Sequence, residues 1–485
     1  MSTNADVLAH FSPGFGGTKI PDWLKHWLSE GLGGITLFSS NCPSLEETSK
    51  LITQIRSYSP NVIISIDEEG GDVTRLYVRE GSPYPTPAML GLCDDLALTE
   101  TSYFELGKTL HQVGIDLNFA PVADVSTNSL NPIVGVRSFS NDFVKTSRHL
   151  SRAVVGLQKA GVGACIKHFP GHGGVSEDSH HDLPKLLGSL SELEQTHIFP
   201  FIQAMQVNVE SIMVGHIITP AIDTKLPASL SRDVITGYLK QRLGYKGIVT
   251  TDALDMGALG GPKRIAHSAL SSIIAGADLL CFSGLSDQSE FVSSSLQLIN
   301  QAIASEQLDP NTISQNAARL RLWNSPKPHG SSAPKHLPTG KFAASLEVHG
   351  DVRLRSKNVH LIELSADPTI AAGYVAWGMR KALTNGGKTV KLESSDSVHK
   401  VTPDSQLVIA FRDAFRDRKI LSTLEKINRE NPETVFVDMG WPTRNFNPKN
   451  LIRTYGSSAL ASEAAATHLI NSISVSYTHL RAHET

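Results

Sequence analysis

Up to about residue 325, apolar residues recur in short runs rich in β-branched side chains. Each run is followed by Gly, Pro or Asp and then by a stretch of helical period. The runs are GGITLF (33–38), NVIISID (61–67), DLNFAPVADV (116–125), ACIKHF (164–169), SIMVGHI (211–217), GIVTTD (247–252) and DLLCFS (278–283). Between them, Leu150, Val154, Leu157 and Ala160 repeat at helical spacing before a stop at Gly161, and Ile265, Ala269 and Ile273 mark a second apolar face. Strands apolar on both faces and separated by helices predict a parallel sheet. At least seven such units suit a (β/α)8 TIM-type barrel better than an open sheet. Several runs end in a polar residue: Asp67, Lys167 and His168, His216, Asp252. In a barrel these ends gather at the C-terminal mouth, where active sites lie.

The pattern then breaks. Residues 326–350 are rich in Pro, Gly, Ser and Lys and read as a linker. From 351 to 472 strand-like runs return (NVHLIEL, KTVKLE, SQLVIAF, ETVFVDM), separated by helical patterns such as AAGYVAWGMRKALTN and ILSTLEKINRE. They predict a smaller second α/β domain behind the barrel domain of residues 1–325. Residues 474–485, within SVSYTHLRAHET, fit neither domain and read as a non-native, adaptor-like tail.

Composition narrows the classes. The chain is 40% apolar with a formal charge of −3, so no basic stripe suggests nucleic acid and no polybasic segment suggests a membrane surface. No run of about 18 apolar residues occurs. Cys42, Cys93, Cys165 and Cys281 lie far apart, which predicts neither a disulfide framework nor a zinc knot. The N-terminus lacks a basic region followed by an apolar one, and the chain reads as mature and cytoplasmic.

Candidate chemistry sits at the strand ends. Asp252 in GIVTTDALDMGAL is either a helix N-cap or a carboxylate nucleophile at the barrel mouth. Asp67 and Glu69 end another strand, and Arg75 just beyond either meets a polar ligand or pairs with Asp72 or Glu69. Arg137 in GVRSFS is a loop arginine with no evident local partner. The stretch CIKHFPGHGGVSEDSHHDLP holds His168, His172, His180 and His181. His168 and His172 could share a metal only on a helix, which Pro170, Gly171 and Gly173 oppose, and no HExxH occurs; no metal and no cofactor is expected. Asp178 lies two residues from His180, close enough to hydrogen-bond one ring nitrogen across a turn and fix the tautomer for acid–base work. The glycines suggest a mobile loop.

Taken in order, IDEEGGDVTRL, DLNFAPVADV, GVRSFS, KHFPGHGGVSEDSHHDLP, SIMVGHI and TDALDMGAL resemble glycoside hydrolase family 3, in its β-N-acetylhexosaminidase branch. The resemblance implies a TIM-type barrel followed by an α/β sandwich domain. It implies that Asp252 is the nucleophile of a covalent glycosyl-enzyme, that His180 is the acid/base and that Asp178 is its hydrogen-bonded partner. Asp67, Arg75, Arg137, Lys167 and His168 match residues that hold sugar hydroxyls. A His–Asp pair then does the work of the second carboxyl group of the usual retaining scheme.

The expected partner is a carbohydrate bearing a terminal N-acetylglucosamine, with cell-wall fragments as the typical source for this branch, and neither nucleic acid nor membrane. The oligomeric state is left open. Behind the hydrolase reading stand a phosphorylase, because a neutral imidazole does not repel phosphate, a β-glucosidase, and a non-catalytic sugar-binding protein. Two departures from the family pattern stand out. Gly174 and Val175 replace Asp-Thr after PGHG, and Glu68 and Asp72 replace the Gln and Arg of DQEGGRV. The second change suggests added negative charge near the mouth.

Overall fold

A computed structural model describes residues 4–128, 131, 133–175, 183–283, 288–323, 332–395, 402 and 404–471. Two compact units emerge. The first comprises Met1–Ser82, Thr86–Lys335 and Thr369–Val375; the second comprises Pro83–Pro85, His336–Pro368 and Ala376–Thr485.

Eight parallel strands build the first unit: β1 (Phe11–Ser12), β2 (Gly34–Leu37), β3 (Ile63–Ile66), β4 (Leu117–Asn118), β5 (Gly163–Phe169), β6 (Ser211–Val214), β7 (Ile248–Thr251) and β8 (Leu280–Cys281). Strands β2 to β7 pair in chain order, and β1 pairs with β8. Bridges at Gly14–Thr36 and Thr250–Leu279 join the two sets into a closed barrel. Hydroxyls stitch the same seam inside, with Ser12 Oγ 3.1 Å from Thr36 Oγ1 and that oxygen 3.4 Å from Ser65 Oγ.

Each of the seven apolar runs holds a strand, and in six of them the strand is shorter than the run; in ACIKHF it fills the run and adds Gly163. In DLNFAPVADV only Leu117–Asn118 is ladder, since Pro121 has no N–H to donate. The eighth strand, β1, gave no signal because Phe11 and Ser12 are flanked by His10 and Pro13. The helices follow their apolar faces. In Phe143–Lys159 the side chains of Leu150, Val154 and Leu157 are fully buried, and Asp142 caps the start by accepting from the Lys145 amide. Ile265–Ala275 ends on Gly276 in the left-handed region.

In the second unit, β9 (Glu347–His349), β10 (Asn358–Ser365), β11 (Thr389–Leu392), β12 (Ser405–Arg412), β13 (Val435–Asp438) and β14 (Asn450–Arg453) form one sheet in the order β9-β14-β13-β12-β10-β11. Only the β9–β14 pair is antiparallel. Phe411, Phe436 and Phe446 centre its core with Leu424 and Ile427 of the helix Arg418–Glu430. Two features differ from the sequence reading. The stretch expected to be linker up to residue 350 already contains the helix Thr339–Ala344, with Phe342 fully buried, and strand β9. The pattern AAGYVAWGMRKALTN is helical only from Arg380 to Asn385; Gly373 at φ 65° and Gly378 at φ 115° hold a conformation that no helix contains.

Candidate active site

The C-terminal ends of the barrel strands open into a cavity of about 510 Å³. Its lining includes Asp67, Arg75, Arg137, Lys167, His168 and Asp252. The structure thus brings six of the eight expected site residues together. Asp178 and His180 lie outside the described residues.

Consecutive residues in a strand point to opposite faces, yet Lys167 and His168 both line the cavity. The peptide bond joining them is cis, and the register of β5 against β6 shifts between Ile166 and Phe169, so the regular alternation is broken at this point. Lys167 Nζ then lies 2.5 Å from Asp67 Oδ1 and 2.8 Å from Glu69 Oε1. Arg137 meets the same Glu69 with two bonds, Nε to Oε2 at 2.8 Å and Nη2 to Oε1 at 2.7 Å. Arg75 closes the chain with Nη2 3.7 Å from Asp67 Oδ2.

Glu69, Lys167 and Arg137 are almost entirely buried. Burial opposes the charge on Glu69, but Arg137 and Lys167 outweigh it and hold the carboxyl well below its ordinary range. Burial likewise opposes the charge on Lys167, and Asp67 and Glu69 reverse the shift and raise its pKa. Removing one member of such a buried network costs about 3–5 kcal/mol, because the remaining charges lose their partners.

Arg75 and Arg137 therefore differ from what local sequence suggested. Arg75 faces Asp67, not Asp72 or Glu69, and its Nη2 also donates to the Ala371 carbonyl at 3.0 Å. Arg137 finds its partner 68 residues away. Glu69 itself was underrated, although it shares the DEEGG motif with Asp67.

A second omission is Asp124, at the end of DLNFAPVADV. It is fully buried and accepts from His168 Nδ1 at 2.7 Å and from the His172 amide at 2.6 Å. Burial pushes its pKa up, but His168 outweighs that and holds it below the usual range. With Nδ1 engaged, Nε2 is the nitrogen that His168 offers to a ligand. His172, which also lines the cavity, is pushed down to about 4 by burial and is neutral at pH 7.

Asp252 follows β7. No α-helix begins there, since the next one starts at Ile265, so the N-cap reading does not hold. Its amide donates to the Val214 carbonyl at 3.0 Å, and Oδ1 accepts from the Ala253 amide at 2.8 Å. His216 braces this turn, with Nε2 donating to the Ala253 carbonyl at 2.9 Å and Nδ1 accepting from Ser229 Oγ at 2.7 Å. The strand-end histidine thus positions the Asp252 loop.

The glycine-rich loop after β5 also reads differently. A Cβ on Gly173 would stand 1.9 Å from the Val125 carbonyl oxygen, and one on Gly174 2.6 Å from His197 Nε2. These two glycines permit close packing; the rest of the loop expected to be mobile, with Asp178 and His180, lies outside the described residues. Glu68 is no mouth charge either. It is fully buried, with Oε2 accepting from the Arg75 and Leu76 amides at 2.7 and 3.0 Å. Burial pushes its carboxyl up to about 7.

A buried, charge-balanced polar floor below an exposed rim is suited to gripping one hydroxyl-rich ring beside a carboxylate. Among the described residues no group of three or more His, Cys, Asp or Glu could hold a metal ion.

The sequence profile of the Glycosyl hydrolase family 3 N terminal domain matches residues 17–322. The chain belongs to glycoside hydrolase family 3. This hydrolase is 31% identical over 285 residues to a beta-hexosaminidase of Chromobacterium violaceum, covering 57% of the present chain and 79% of that one. It is 29% identical over 439 residues to beta-hexosaminidase A of Pseudoalteromonas piscicida, covering 81% and 73%. Among solved structures, a glycoside hydrolase family 3 beta-N-acetylglucosaminidase from Paenibacillus sp. str. FPU-7 superposes with a TM-score of 0.88 at 27% identity, covering 98% of both chains. Such relatives have a TIM barrel followed by an α/β sandwich, which is the architecture seen here.

Proposed function

We propose that the chain is a retaining exo-β-N-acetylglucosaminidase that removes terminal β-linked N-acetylglucosamine by double displacement. The observation that carries this reading is the cavity itself. Asp252 stands at the end of β7 in the same lining as the Asp67–Lys167–Glu69–Arg137 network and the His168–Asp124 pair. The network and His168 hold the hydroxyls of the terminal sugar, and a buried floor with an exposed rim suits cleavage from the chain end.

In the first step His180 protonates the glycosidic oxygen while the Asp252 carboxylate attacks the anomeric carbon, giving a glycosyl ester and a released alcohol. In the second, His180 takes a proton from water as the water displaces Asp252, and the sugar leaves. Asp178 orients the imidazole throughout. The roles of Asp178 and His180 rest on the resemblance of the KHFPGHGGVSEDSHHDLP stretch. Cell-wall fragments with a terminal N-acetylglucosamine fall within the substrate class so defined.

Hydrolysis of a chromogenic β-N-acetylglucosaminide, measured in excess chelator, tests the reading. Wild type should turn over. Asp252→Asn should lose at least about a thousandfold in kcat, since an amide is no nucleophile. A variant within tenfold of wild type would remove Asp252 from the mechanism. Sugar 1-phosphate formed in phosphate buffer would instead mark a phosphorylase.

A further inference from the structure

The cavity changes character from floor to rim. Its floor is buried and ion-paired. Its rim includes Ser39 and Ser40, both exposed, Asp255, and the segment Ile370–Tyr374. This segment belongs to the first unit. It is held there by the Ala371 carbonyl, which accepts from Arg75 Nη2 at 3.0 Å. Arg75 is the same residue whose guanidinium faces Asp67, so the rim segment and the sugar-gripping floor share one anchor.

Ile370 is 53% exposed and Tyr374 81% exposed, which makes Tyr374 the most exposed large apolar side chain among the described residues. Together Ile370 and Tyr374 present apolar surface at the mouth of the cavity, where the aromatic ring offers its face to a ligand. A pyranose is such a ligand, because one face of the ring presents C–H groups to an aromatic plane while its hydroxyls point elsewhere.

Charge narrows the partner further. The cations in the lining are Arg75, Arg137 and Lys167, and each already faces a carboxylate of the floor. At the rim the carboxylate is Asp255, held by the amide and hydroxyl of Ser283. No lysine or arginine stands among the described rim residues. A negative group on the departing half of the substrate would meet Asp255 with no uncommitted lysine or arginine among the described lining residues to offset it.

We propose that the Ile370–Tyr374 segment and Asp255 form the leaving-group side of the site, and that it takes an uncharged sugar stacked on Tyr374 in preference to one bearing a carboxylate. The assignment rests on the N-acetylglucosaminidase reading and adds the chemistry of the second sugar. It selects neutral β-linked N-acetylhexosamine chains over donors whose second sugar carries a lactyl ether acid.

Three substrates separate the possibilities: N-acetyl-β-glucosaminyl azide, which has no second ring; N,N′-diacetylchitobiose, whose second ring is neutral; and N-acetylglucosaminyl-β-1,4-N-acetylmuramic acid, whose second ring is anionic. Wild type should cleave the chitobiose with a kcat/KM at least tenfold above that of the muramic disaccharide. Tyr374→Ala should lower kcat/KM on chitobiose five- to tenfold, mainly through KM, and leave the azide within twofold. Asp255→Asn should raise kcat/KM on the muramic disaccharide several-fold and leave the azide unchanged.

Equal wild-type rates on the two disaccharides overturn the charge selection. A Tyr374→Ala variant whose chitobiose-to-azide ratio matches wild type overturns the stacking role. Wild type inert on the azide and on both disaccharides overturns the underlying activity as well, so the two failures are distinguishable.

Discussion

Glu68 and Glu69 are neighbours in sequence and both are buried, yet their surroundings drive them in opposite directions. Two cations face Glu69 and keep it ionised, while burial dominates at Glu68 and lifts its carboxyl to about 7. Unfolded, Glu68 would ionise near about 4.3. As pH rises, the unfolded chain therefore releases this proton before the folded chain does. Stability contributed by the neutral carboxyl is full below about pH 4, declines through about pH 7 and is gone above it. Glu68→Gln keeps the neutral geometry and removes this cost. At pH 8 the variant should unfold later than wild type by up to about 3 kcal/mol, and at pH 4 the two should coincide. Denaturant midpoints at both pH values check this; a variant less stable than wild type at pH 8 would show that the ionised carboxylate is what the site uses. Nothing in the sequence separated the two glutamates, because the difference lies in partners as distant as Arg137 and Lys167. Asp252, Asp67 and Lys167 were legible because each ends an apolar run. Asp124 ends one too and was passed over, since its partner His168 is brought to it only by the fold.

At the scale of elements, the apolar runs located seven of the eight barrel strands because buried parallel strands need continuous apolar sequence. They could not locate the two-residue β1, whose place is fixed by pairing with β8, nor the register shift in β5 where two consecutive side chains line one mouth. The loop after β5 shows the same limit. Its Gly173 and Gly174 look like flexibility in sequence and prove to be points of close approach. Gly173→Ala places a methyl group 1.9 Å from the Val125 carbonyl oxygen, and the backbone has to move. The expected loss is at least about 1–3 kcal/mol, the usual cost of overpacking, read as a lower melting temperature. A melting temperature equal to wild type would mean that this loop is looser than the packing shows.

Across the whole molecule, each unit has a hydrophobic core of its own. One centres on Ile63, Phe119, Met213 and Ile248, the other on Phe411, Phe436 and Phe446. Calorimetry should therefore resolve two unfolding transitions, and Gly173→Ala should shift only one of them; a single transition that moves as a whole in the variant would contradict separate cores. The two-domain order was readable from where the strand pattern stops and resumes. The assignment of Thr369–Val375 to the first unit was not, because its contact with Arg75, 296 residues away in sequence, is made by the fold. The proposed mechanism rests on one carboxylate at the barrel mouth, Asp252. The most direct test is to trap the intermediate with 5-fluoro-N-acetylglucosaminyl fluoride and map the labelled peptide by mass spectrometry. One glycosyl adduct is expected, carried by Asp252 and absent from Asp252→Asn. An adduct on another residue, or steady turnover with a cyclic oxazoline and no adduct, would contradict the mechanism.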